Sequence, residues 1–176
     1  MPSLFPSLPL FLLAIAVGAG VASPSAAQTD SPAPPAARKE VPVNRRVTGT
    51  FEVVLTPQTT EAGPVVARMS IAKQFHGELE ATSKGEMLAS SSSVKGSAGY
   101  VAIEHVAGTL QGRQGTFVLQ HTGTMTRGAP SLSVTVVPDS GTGKLTGLSG
   151  TMAIRIEDGE HFYDFEYSIA PALSAR

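Results

Sequence analysis
The chain has 176 residues with 18 Gly and 13 Pro, no Cys and no Trp, and 13 basic against 14 acidic side chains, for a net charge of -1. Near-neutrality removes the basic footprint that phosphate-neutralising contact with nucleic acid requires. Without cysteine there is no disulfide, thiolate metal site, iron–sulfur cluster or cysteine nucleophile, and four histidines remain for acid–base or metal work.

Residues 8–22, LPLFLLAIAVGAGVA, form an apolar run short for a membrane span and followed by small residues. This pattern predicts a secretory signal peptide over 1–27, cleaved after Ala27 with Ser25 at the minus-three position. Residues 1–27 hold no Lys or Arg, so the positive charge that usually precedes such a run is reduced to the terminal amine. With no cysteine to carry a lipid, a lipoprotein anchor is excluded. Residues 28–44, QTDSPAPPAARKEVPVN, read as a Pro/Ala-rich disordered linker, because proline fixes the backbone angle and removes a donor. The folded domain is expected over 45–172. No later run is long and apolar enough for a membrane helix, so the mature protein is expected in the periplasm or outside the cell, with no stable span after cleavage.

From Val47 onward apolar residues recur with period two, interrupted by Gly, Ser, Asn or Asp clusters. Phe51, Val53 and Leu55 alternate with Glu52 and threonines, and the run stops at Pro57. Met69, Ile71 and Phe75 share the next parity. Leu79, Ala81, Ser83 and Met87 then oppose Glu78, Glu80, Lys84 and Glu86, a charged face that must be wet. Val101 with Ile103, and Phe117 with Leu119 and Met125, make a pair of strands joined by a Gly-rich hairpin. Runs at 132–137, 152–156 and 163–169 complete eight candidate strands. Eight half-apolar antiparallel strands without covering helices bury their apolar faces best as a closed barrel or a sandwich, and closure removes the edges. Seven Phe and three Tyr are few for such an interior, so a cavity is expected.

GTLQGRQGTFVL from Gly108 and GKLTGLSGTMAI from Gly143 share Gly, Leu, Gly, Gly and Thr at identical spacing. The echo predicts two equivalent hairpins. The segments KQFHGELEATSKGEML, GYVAIEHVAGTLQGRQGTFVLQHTGTMTRGAP and LSVTVVPDSGTGKLTGLSGTMAIRIEDGEHFYDFEY resemble, in order, the DUF3224 family of small bacterial proteins without an assigned activity. The resemblance covers roughly 47–169. GTGKLTGLSG is also similar to the GTG-x-F-x-G-A-x-G turn of allene oxide cyclases and plant dirigent proteins, with Leu145 where that pattern has Phe and Leu148 where it has Ala. That likeness implies an all-β fold, an eight-stranded antiparallel up-and-down β-barrel of the allene oxide cyclase or calycin kind. It also implies an apolar substrate inside the barrel, no cofactor, and a homo-oligomer.

If Val101, Ile103, Phe117 and Leu119 face inward, alternation places His105 and His121 inside with them, as cross-strand or diagonal neighbours. Two such imidazoles suit a neutral base and donor, or two metal ligands, though no third ligand shares their parity. The plainer reading is that both are spacers bonded to neighbours or water, or that a bulge puts one of them outside. Lys73 lies between Ile71 and Phe75 and is a further inward candidate. On the last strand Tyr163, Phe165, Tyr167 and Ile169 share the core parity, and the phenols can offer donors to a ligand. Glu78, Glu80 and Glu86 read as a solvated face. The DSG at Asp139 and the GTGK at Gly141 read as turns, since neither has the partner residues of an aspartic protease or a phosphate loop.

Two functions follow. The first is a binding barrel, an exported carrier of a small apolar molecule with Phe117, Leu119, Met125, Tyr163, Tyr167 and Lys73 around the cavity. The second is a cofactor-free isomerase or cyclase with His121 or His105 as acid–base group. No metal or cofactor is expected in either.

Overall fold
The structure, a computed structural model, describes residues 43–170; the expected leader and nearly all of the linker lie outside them. Eight strands follow one another: β1 Arg45–Gln58, β2 Ala67–Gly77, β3 Leu79–Ser91, β4 Ala98–Leu110, β5 Arg113–Thr126, β6 Ala129–Val136, β7 Leu148–Glu157 and β8 Glu160–Ile169. Each pairs antiparallel with the next, and β8 returns to β1, so the sheet is a closed up-and-down barrel. The expected fold class is the observed one. No helix among the described residues is long and apolar enough to cross a membrane.

Three tight hairpins set the register. Each has a two-residue loop of a non-glycine residue followed by Gly, both at positive φ: Gln111–Gly112 (46° and 76°), Arg127–Gly128 (50° and 91°) and Asp158–Gly159 (52° and 86°). Positive φ at both loop positions matches the right-handed twist of the flanking strands, which is why such loops close hairpins. The Gln111–Gly112 turn pairs Leu110 with Arg113, and the ladder then places Val106 opposite Phe117 and Glu104 opposite Leu119.

This register overturns one expectation. Val106, Glu104 and Ala102 face inward, while Val101 and Ile103, each 52% exposed, face outward together with His105. His105 pairs with Val118 and His121 with Ala102, so the two histidines stand on opposite sides of the barrel wall. The cause is the turn: with a two-residue loop, cross-strand partners have positions of opposite parity, and His105 cannot share a face with His121.

The first echo segment is a hairpin, but the second is not. Gly143–Leu145 forms a short 3-10 turn inside the β6–β7 connection, and Leu145 is fully buried. The connection runs along β5 where β6 has left it. Thr142 N–H donates to Thr116 O (2.9 Å), Thr116 N–H to Thr142 Oγ1 (3.0 Å), and Val118 N–H to Ser140 Oγ (3.1 Å). Backbone groups that would be left open on β5 are thereby satisfied. Asp139, at φ 59°, belongs to this same connection, and the DSG and GTGK sequences are loop chemistry.

The connection plugs one end of the barrel. Val47, Leu79, Leu110, Phe117, Leu145, Leu148 and Phe165 pack together there. The rings of Phe117 and Phe165 are 5.9 Å apart and nearly parallel, and Tyr167 stacks on Phe165 at 5.3 Å. The opposite end is looser. β6 meets β7 only at Thr135↔Thr151, and β1 leaves β8 after Phe51↔His161.

Candidate functional site
Between the plugged end and the mouth lies a layer of polar side chains inside the barrel. β2 contributes Lys73, β3 Ser83, β4 Glu104 and β5 His121, and all four are buried. Lys73 Nζ donates to Glu104 Oε2 at 2.8 Å and Ser83 Oγ to Glu104 Oε1 at 2.5 Å. The Lys73 ammonium also lies 4.9 Å from the centre of the Phe51 ring, on an aromatic wall that suits a cation. His121 Nε2 is 3.3 Å from Glu104 Oε2, close enough for attraction but not aligned as a hydrogen bond. Among the described residues it is the one fully buried side-chain polar atom without a partner.

Burial pushes the Glu104 carboxyl upward, but His121, Lys73 and Ser83 favour the charged form and together hold it at about 2. The carboxylate is therefore ionised at neutral pH inside the barrel. Nothing in the alternation reading singled it out, because its neighbours Val101 and Ile103 are the apolar residues of that run and they point outward.

Beyond this layer the interior opens. A pocket of about 460 Å³ occupies the mouth, lined by the last inward residues of β2 to β6, among them Ala67, Met87, Tyr100, Gly123, Met125 and Leu132. His121 lies one inward step along β5 from Gly123, while Gly85 and Ala102 separate Met87 and Tyr100 from Ser83 and Glu104, so the polar layer lies one to two steps beneath the pocket. Gly123 makes room for the Tyr100 ring: a Cβ there would fall 2.1 Å from a ring carbon.

The expected cavity residues divide between these regions. Met125 lines the mouth pocket, and Lys73 belongs to the polar layer beneath it. Phe117, Leu119, Tyr163 and Tyr167 are packed in the hydrophobic core. Tyr163 donates to the His76 carbonyl at 3.2 Å and accepts from Leu79 N–H at 2.9 Å, while Tyr167 donates to Gln111 Oε1 at 2.7 Å. Both phenols thus have partners inside the protein. Of the paired histidines, His121 is inside and His105 is on the outer surface. Glu78, Glu80 and Glu86 are exposed, and Glu86 is held by Arg68. No cluster of three or more potential metal ligands occurs among the described residues.

No curated protein matches the chain. The crystal structure of a protein with unknown function from the DUF3224 family of Shewanella oneidensis MR-1 matches with a TM-score of 0.72 at 57% identity, covering 74% of this chain and all of that one. The family model for DUF3224, described as a protein of unknown function, matches residues 47–167, which run from the first core residue of β1 to the last aromatic of β8. The barrel is thus the part that is matched, and the chain belongs to the DUF3224 family.

Proposed function
We propose that this protein is an exported barrel that binds a small apolar molecule in its mouth. The observation that carries the reading is the asymmetry of the interior: one end is filled by the plug and a stacked aromatic core, and the other keeps an open pocket of about 460 Å³ with an apolar lining. Pockets of roughly 300–1,000 Å³ are the usual size of small-molecule sites. The ligand then sits against Met87, Tyr100, Met125 and Leu132, not against Phe117, Tyr163 and Tyr167. Export rests on the apolar run before residue 28 alone.

The purified domain is expected to bind the hydrocarbon fluorophore diphenylhexatriene with a saturable rise in fluorescence. Ala89→Trp, which puts a large ring into the pocket wall, should weaken that binding by at least about tenfold. Equal binding by wild type and Ala89→Trp places the fluorophore elsewhere and sinks the reading.

A second reading, the cofactor-free isomerase, is favoured by His121, an imidazole without a directed hydrogen bond beside an ionised carboxylate and one step below the pocket. A base there would remove a proton α to a ligand carbonyl. Such a protein should exchange the α-hydrogens of 2-octanone for deuterium in D₂O, and His121→Ala should stop the exchange. Persistence of the exchange in that variant removes His121 from the chemistry.

A further inference from the structure
The pocket restricts the charge of what can occupy it, and this inference rests on the binding reading above. No Asp, Glu, Lys, Arg or His is among the residues that line the mouth pocket. A free carboxylate or ammonium drawn into its depth would lose its water and gain no counter-ion. Beneath the lining His121 lies 3.3 Å from the Glu104 carboxylate, and the inward charges Lys73 and Glu104 are already paired with each other. They neutralise one another and leave neither sign to attract an ionic ligand.

One polar group in the lining differs from the rest. The other hydroxyl-bearing residues, Ser90, Ser91, Thr124 and Ser131, belong to the rim, near the strand ends, whereas Tyr100 stands one inward step above Ala102. The three tyrosines also differ in their partners. Tyr163 and Tyr167 are hydrogen-bonded within the fold, and the Tyr100 phenol makes no hydrogen bond among the described residues. Its ring is seated against the Gly123 backbone, so little side-chain freedom remains to be lost when the hydroxyl is engaged. Burial raises the phenol above its ordinary range, and the nearby Glu104 charge adds to the shift. Tyr100 is accordingly a neutral donor over the whole physiological range. Around it Met87 and Met125 supply flexible, polarisable contacts that adapt to different apolar shapes.

We propose that the mouth selects uncharged, oxygen-bearing apolar molecules such as alcohols, ketones and esters of moderate size, and that the Tyr100 phenol donates a hydrogen bond to the ligand oxygen. Selectivity then has two sources. The absence of a lining charge rejects acids and amines, and the inward Tyr100 donor favours an oxygenated molecule over a pure hydrocarbon of the same shape.

The test is displacement of diphenylhexatriene at about pH 8, where carboxylic acids and alkylamines are ionised. The competitors are 1-octanol, 2-octanone, octanoate and octylammonium. The alcohol and the ketone should compete at least about tenfold better than either ion. Tyr100→Phe keeps the ring and should weaken octanol and octanone about three- to tenfold relative to any change in the binding of the hydrocarbon fluorophore, as expected for one hydrogen bond. Octanoate or octylammonium competing as well as octanol overturns the charge selection. Unaltered octanol and octanone affinity in Tyr100→Phe overturns the role of the phenol. Absence of fluorophore binding by the wild type is a separate failure, that of the mouth as a binding site, and overturns both.

Discussion

Glu104→Ala is expected to destabilise the domain by about 3–5 kcal/mol, a large part of the roughly 5–15 kcal/mol that holds a domain together. Glu104 is completely buried, and its carboxylate receives both the Lys73 ammonium and the Ser83 hydroxyl. Removing it leaves the Lys73 charge, 6% exposed, with only the Phe51 and Phe75 rings for company. An aromatic face is worth about 2 kcal/mol to a desolvated cation, which does not offset the loss of a buried counter-ion. Replacing both partners is a different case, because Lys73→Met with Glu104→Leu removes the two charges together and fills the space. That pair should recover most of the single-variant loss. Chemical denaturation of the wild type, both single variants and the double variant gives the coupling directly. A Glu104→Ala cost below about 1 kcal/mol, or a double variant as unstable as the sum of its singles, refutes the claim that the two charges depend on each other.

The same carboxylate sets an acid limit. Its folded value of about 2 lies below the 4.5 expected of a free glutamate. A depressed folded value means that the unfolded chain takes up the proton first. The stabilisation is fully present above pH 4.5 and is lost as the pH falls toward 2, by about 3 kcal/mol over that window. Glu104→Gln should abolish most of this slope. A wild type and a Glu104→Gln variant losing stability in parallel between those values places the acid sensitivity elsewhere.

Much of the barrel was legible in the alternation of its strands. Inward Leu79, Ala81 and Ser83 on β3, and Phe117, Leu119 and His121 on β5, stand where period two places them. β4 inverts the usual pattern, with Val101 and Ile103 turned to solvent and Glu104 turned in. Alternation assigns faces by apolarity, and a buried ion pair is invisible to it until the partner strand is known. A usable signal did exist. The Gln111–Gly112 turn fixes opposite parity across β4 and β5, so the inward Phe117 and Leu119 already imply inward Val106 and Glu104. The place of the cavity was hidden for a different reason. Phe117, Tyr163 and Tyr167 look like the walls of a hollow, but that end is closed by a connection between β6 and β7 whose contacts are not local in sequence. The glycine echo resembles a second hairpin in composition alone, since the first copy turns through two residues and the second folds back on β5.

Leu145→Ala is expected to cost about 2–5 kcal/mol, although the residue lies in a loop. Leu145 is fully buried and belongs to the same apolar cluster as Leu110, Phe117 and Leu148. Truncating it opens a space that its surroundings cannot readily close, because Ser140 and Thr142 tie the connection to β5 ahead of Leu145 and Gly147 O accepts from Ala170 N–H behind it. Met125 is the useful contrast. It is 41% exposed at the open end, so Met125→Ala removes little buried surface and should change stability by no more than about 1 kcal/mol. The two variants should also separate in binding. Leu145→Ala, where folded, should take up diphenylhexatriene as the wild type does, because the plug lies at the far end of the barrel from the pocket, whereas Met125→Ala should bind it more weakly. Equal stability losses, or lost binding in folded Leu145→Ala, would mean that the two ends are not independent. A barrel whose closed end carries the stability can leave its mouth unfilled, and that division is what makes an apolar pocket tolerable in a domain without a disulfide.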